Sequence, residues 1–134
     1  MSEFASESYP HRLLRQGRAR PRFLQGVFPF VGHGLFQVGV LDESLGYTVP
    51  PHTEAEVLYV RLGSSADDLV YVVLLADDRP IRYFPVGPRS DVHVPLALIE
   101  GHPAPTRLSV GYAAPSGVSG TLIVDVGIVE VAKG

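Results

Sequence analysis

Five histidines, two acidic pairs, a serine-bearing loop and a run of arginines are the residues of this 134-residue chain whose types lend themselves to chemistry. A metal centre needs convergent His, Cys or carboxylate ligands. His11, His33, His52, His93 and His102 are scattered singly, with no His-x-His pair, so no metal and no cofactor is expected. The pairs Asp67-Asp68 and Asp77-Asp78 could offer oxygens to calcium, yet aspartate also bonds its local backbone in turns. Without an Asp-x-Asp-x-Asp ladder the turn reading is preferred, and calcium stays open as the alternative. Ser116-Gly117-Val118-Ser119-Gly120 misses the nucleophile-elbow pattern because Thr121 stands where the final glycine would be, and it reads as a flexible loop. No Walker loop or dinucleotide fingerprint is present, so no catalytic residue is expected.

The arginines are unevenly placed. Residues 1–25 hold Arg12, Arg15, Arg18, Arg20 and Arg22 against Glu3 and Glu7, a balance of about +3 within a chain of net charge −3, which leaves about −6 for the remainder. Spaced cations of this kind suit an acidic protein surface. Phosphates are the alternative, disfavoured because aromatic interleaving is thin, with Tyr9 and Phe23 only at the ends of the run, and the body is acidic. Polar, basic and broken by Pro10 and Pro21, residues 1–22 cannot bury enough apolar surface to order themselves. A basic arm over 1–25 that rests on a neighbouring subunit is the expectation. Beyond it, Phe23-Leu24-Gln25-Gly26-Val27-Phe28-Pro29-Phe30-Val31 fits neither a helical nor a strictly alternating period. Pro29 places this stretch at a sheet edge. Its rings either close the protein's own sandwich or anchor in a partner.

The elements that must position these groups are strands. The centre of the chain is Val57–Leu62, Leu69–Leu75 and Ile81–Phe84, separated by Gly-Ser-Ser-Ala-Asp-Asp and Asp-Asp-Arg-Pro, a pattern of antiparallel strands and turns. Leu58, Val60 and Leu62 are expected to face the core, with Tyr59 and Arg61 outward. Leu69–Leu75, apolar on both faces, belongs inside a covered sheet. Strands are also expected over His33–Val40, Tyr47–Val49, Asp91–Leu98, Thr106–Ala113 and Thr121–Val131. In the last, the polar residue moves from odd to even positions between Asp125 and Glu130, which predicts an inserted residue near Gly127. About eight strands at spacings of roughly 10–14 residues read as an all-β, antiparallel, jelly-roll-like β-sandwich over residues 26–134.

The chain can bury one core without staples, and with no cysteine its stability must come from packing. No apolar stretch of secretory or membrane-spanning length is visible, so membrane partners are not expected.

At Tyr47-Thr48-Val49-Pro50-Pro51, followed by Glu54–Leu62, the polar Gly63-Ser64-Ser65-Ala66-Asp67 loop and Ala113–Gly120, the sequence resembles small β-sandwich proteins of tailed-phage virions. The resemblance spans roughly residues 47–132, and it departs at Pro51-His52, where such proteins continue with Ala-Gly. It implies a non-enzymatic structural component, a head decoration or a tail or fibre part, located in a virion assembled in the host cytoplasm. Its partners would be copies of itself, often as trimers or larger, and other particle proteins. Arg12, Arg15, Arg18, Phe23, Phe28 and Phe30 are the expected partner-binding residues. The competing expectations are a carbohydrate-binding module using Tyr59, Arg61, Arg82 and Tyr83 on one sheet face, and a jelly-roll metalloenzyme.

Overall fold

A computed structural model describes residues 17–133. Ten strands form: β1 (Ala19–Val31), β2 (Gly39–Val40), β3 (Gly46–Thr48), β4 (Thr53–Ser64), β5 (Val70–Ala76), β6 (Arg79–Val86), β7 (Asp91–Pro95), β8 (Gly101–Pro103), β9 (Arg107–Ala113) and β10 (Ser119–Ala132). Every pairing is antiparallel. One sheet runs β1-β10-β4-β7 and the other β2-β9-β5-β6. Strand β8 adds to β4 beside β7, and β3 adds to β9 beside β2, so each of these pairs fills one strand position in two segments. Eight positions result, consistent with the expected number. They pair as a folded ribbon, β1 with β10, β2/β3 with β9, β4 with β7/β8 and β5 with β6. Contacts of β10 with β4 and of β9 with β5 then merge the ribbon into two sheets, which is the jelly-roll wrap.

Alternation places Leu122, Val124, Val126 and Ile128 of β10, Val57, Val60 and Leu62 of β4, Val70, Val72 and Leu74 of β5, and Leu108 and Val110 of β9 in one core. Each such side chain contributes roughly 1.5–3 kcal/mol relative to exposure. Strand β5 lies between β9 and β6, as its two-sided apolar sequence requires. The Asp77-Asp78 turn joins β5 to β6 with positive φ at both residues, 49° and 65°, the geometry of a two-residue type I′ hairpin. Asp77 Oδ1 also accepts from the Arg107 backbone N–H at 2.9 Å. Asp68 Oδ1 accepts from the Leu69 N–H at 2.9 Å, and Asp67 pairs with Arg89. Asp77-Asp78 thus forms a turn, and Asp67-Asp68 lies in the bend that leads into β5.

Three expectations are corrected. Of His33–Val40 only Gly39–Val40 is strand; the residues before it form a loop over the outer face of the second sheet, where Leu35 O accepts a bond from the Tyr71 hydroxyl. The boundary at residue 25 falls inside β1, because residues 19–25 pair with β10 from Ala19 opposite Val131 to Gln25 opposite Asp125. The periodicity of 19–22 was hidden by two arginines and a proline at the sheet end. The register shift does occur beside Gly127, but the additional residue is Leu58 of β4: Gly127 faces Tyr59 and Ile128 faces Val57. Leu58 is therefore pushed out of the core, against Ala19, Val129 and Val131. Strand β10 itself keeps unbroken register with β1, so Glu130 points inward.

Candidate interaction surface

Strand β1 ends its sheet, and no described strand lies beyond it. Its even-numbered residues bond toward β10: Arg18 O accepts from the Ala132 N–H, and Gly32 N–H donates to Val118 O at 2.6 Å. Backbone groups alternate in direction along a strand, so the odd-numbered residues aim theirs at the open edge. Pro21 and Pro29 occupy odd positions, where the missing donor costs no ladder bond. Two edge carbonyls are satisfied internally, Pro21 O by Arg22 Nη1 at 3.1 Å and Val31 O by the Tyr112 hydroxyl at 2.7 Å. Between the prolines, Phe23, Gln25 and Val27 present the edge.

The side chains of these odd residues stand on the outer face. Phe23 is 53%, Val27 64% and Val31 50% exposed, and Ile123 of β10, opposite Val27, is exposed as well. They make one apolar row. Of the expected partner-binding residues, Phe23 lies in this row and Arg18 is exposed at its start. Arg12 and Arg15 lie outside the described residues. Phe30 is corrected: it is only 5% exposed and meets Tyr112 edge-on at 5.5 Å between centroids. Phe28 packs against the same core with its ring under Gly26, whose added Cβ would fall 2.5 Å from it. Those two rings close the protein's own sandwich, because even positions on β1 face inward.

At the start of β1 a cleft of about 400 Å³ is lined by Arg18, Arg20, Arg22, His52 and Glu130. Glu130 is 6% exposed; it accepts from the Tyr47 hydroxyl at 2.5 Å and pairs with Arg22 Nε at 3.2 Å. Burial first, then the bond to Glu130, pushes the Tyr47 phenol well above its usual range. The three side chains pin the entry of β1 to β3 and β10.

A shallow groove of about 390 Å³ crosses the outer face of β4, β7 and β10. It is lined by Gly63 together with Arg61, Asp91, His93, Ile123 and Asp125. Tyr59 meets His93 edge-on at 5.9 Å, donates to Asp125 Oδ1 at 3.2 Å, and lies over Gly127, where a Cβ would come within 2.0 Å of the ring. Arg82 and Tyr83 are not on this face. They sit on β6 in the second sheet, with Arg82 paired to Glu100 at 2.7 Å and Tyr83 tilted against Tyr71. The four residues expected to share a sugar-binding face are therefore divided between two sheets.

Sequence reasoning missed Phe36, which is 95% exposed at the loop between β1 and β2. The strand expected over His33–Val40 leaves no place for the loop tip that carries it. Among the described residues no three His, Cys, Asp or Glu converge as a metal site would require, and no helix is long and apolar enough to cross a membrane. The fold and this surface define the chain as an antiparallel jelly-roll domain with an apolar, strand-edge face. No protein-family model matches the sequence, and no curated protein matches it.

Proposed function

We propose that this protein is a non-enzymatic structural component of a phage-like particle, a head decoration or a tail or fibre part. It acts by adding apolar and strand-edge contacts to its neighbours. The observation supporting this reading is the exposed row Phe23, Val27, Val31 and Ile123 beside a strand edge that no described strand pairs with, on a jelly roll. Exposed apolar groups that gather along one edge mark an interaction site more than scattered ones do. In particles assembled with the full chain, quantitative mass spectrometry is expected to find it at a copy number set by particle symmetry. The double variant Val31→Glu with Ile123→Glu should fold and yet be shed from the particles. Absence of the unaltered chain from particles rejects the reading, and retention of the variant rejects this row as the docking surface.

A second reading is a carbohydrate-binding module, favoured by the groove lined by Arg61, His93 and Asp125, with the Tyr59 ring against His93 and its hydroxyl on Asp125. A glycan array read with the native chain and with Asp125→Ala separates the two. Sugar binding that disappears in the variant supports the module, and a blank array removes it.

A further inference from the structure

We propose that the open edge of β1 pairs with the same edge of a second copy, antiparallel about a two-fold axis at Gln25, so that two sheets become one continuous sheet. The inference goes beyond the particle reading and does not depend on it.

The placement of the edge residues carries it. Pro21 and Pro29 lie four residues on either side of Gln25, in the phase whose backbone groups face outward. An antiparallel pairing centred on Gln25 sets Pro21 opposite Pro29 of the second copy at both ends, so donor-less residues meet each other and no N–H of a strand is left facing a proline there. Between them Phe23 falls opposite Val27 of the second copy, Gln25 opposite its own counterpart, and Val27 opposite Phe23. All three positions keep both backbone groups, so each facing pair can exchange two hydrogen bonds. A two-fold contact requires a patch that complements itself, and this strand meets that condition in its donors and in its side chains.

The side chains also agree. Val27 already stands beside Ile123 within the protomer. Across the axis it gains the exposed Phe23 ring of the second copy, an aromatic and β-branched pair of the type that stabilises sheets. The charged residues of the strand, Arg20 and Arg22, fall in the even phase. They lie opposite Phe30 and Phe28 of the second copy, so no like charges face each other directly. A long strand with an exposed apolar face is otherwise an aggregation hazard; the prolines limit pairing to one register and one partner.

Light scattering coupled to size exclusion of the full chain is expected to give twice the 14.5 kDa protomer mass. Gln25→Pro removes an outward donor without touching a bond to β10, and should give a monomer with unchanged circular dichroism. The chain has no cysteine, so single cysteines report the register. Gln25→Cys should cross-link to itself under mild oxidation, Phe23→Cys should not, and Phe23→Cys combined with Val27→Cys should. A monomeric or trimeric native mass overturns the proposal. So does cross-linking by Phe23→Cys with none by Gln25→Cys, which also decides the matter if Gln25→Pro fails to fold. Particle incorporation is measured separately, so a failed dimer leaves the proposed function standing.

Discussion

Glu130 shows how a charge can sit inside a β-sandwich when its neighbours are prepared for it. Its carboxylate is nearly buried, but the Tyr47 hydroxyl and the Arg22 guanidinium reach it from two other strands. Removing one partner of such a group leaves the rest unsatisfied, which costs more than the bond itself contributed. Tyr47→Phe is expected to destabilise the fold by about 1–2 kcal/mol, read from chemical denaturation at pH 7. The pH dependence follows from the raised phenol: its proton is held more tightly in the folded chain than at the usual value of 10.0. Its contribution is complete below pH 10 and declines as pH rises from there toward the folded value. Tyr59 is shifted in the same direction, by burial and by Asp125. The native protein should therefore lose stability on the alkaline side, and Tyr47→Phe should flatten that loss, with Tyr59→Phe flattening it further. An identical alkaline profile in the double variant would contradict this assignment. Glu56 behaves in the opposite sense at neutral pH. Burial and the nearby Glu54 carboxylate raise its pKa, so its ionised form opposes folding. Glu56→Gln is expected to stabilise the protein at pH 7 by a few tenths of a kcal/mol after solvent screening, and to gain nothing at pH 4.

Strand β1 is where the element scale matters most, because it serves the fold on one face and the surroundings on its edge. Leu24 and Phe30 are buried, whereas Phe23 and Val27 are exposed, and the pleat alone makes that division. Deleting residues 1–25 removes the first half of β1, takes Leu24 from the core and uncovers β10. That truncation should lose cooperative unfolding in calorimetry, and a native-like transition from it would show β1 to be dispensable. Leu24→Ala, a milder change on the same strand, should cost about 2–3 kcal/mol, less than a central position because the site lies at a sheet margin. Phe28, Pro29 and Phe30 were legible as an edge segment from the proline and the rings alone. The strand's beginning was not, since Arg20, Pro21 and Arg22 look like solvent-seeking chain and are held by partners more than a hundred residues away in sequence, Glu130 among them.

For the whole molecule, the wrap joins distant parts of the chain. Ala19 lies opposite Val131 and Thr53 opposite Ala132, so β10 cannot take its place until nearly the full chain is gathered. Closure of such loops precedes the contacts that reward it. Refolding is therefore expected in milliseconds to seconds, with single-exponential kinetics. Tyrosine fluorescence or circular dichroism must follow it, as the chain has no tryptophan. Completion within microseconds would conflict with this topology. The same closure brings Arg18, His52 and Glu130 to one cleft, and Arg61, His93 and Asp125 to one groove, from segments that share no local pattern.

Alternation, turn residues and the absence of cysteine were enough to establish an antiparallel jelly-roll-like sandwich, the interior place of β5, and the hairpin at Asp77-Asp78. Those features depend on interactions within a strand and its nearest turn, which local sequence encodes directly. Which strand carries the inserted residue at the β-bulge, which way Glu130 points and which phenylalanines stay outside depend on register between strands far apart in the chain. Register is set by the partner strand, so Leu58, Glu130 and Phe30 received their surroundings only when β4, β10 and β1 were brought side by side.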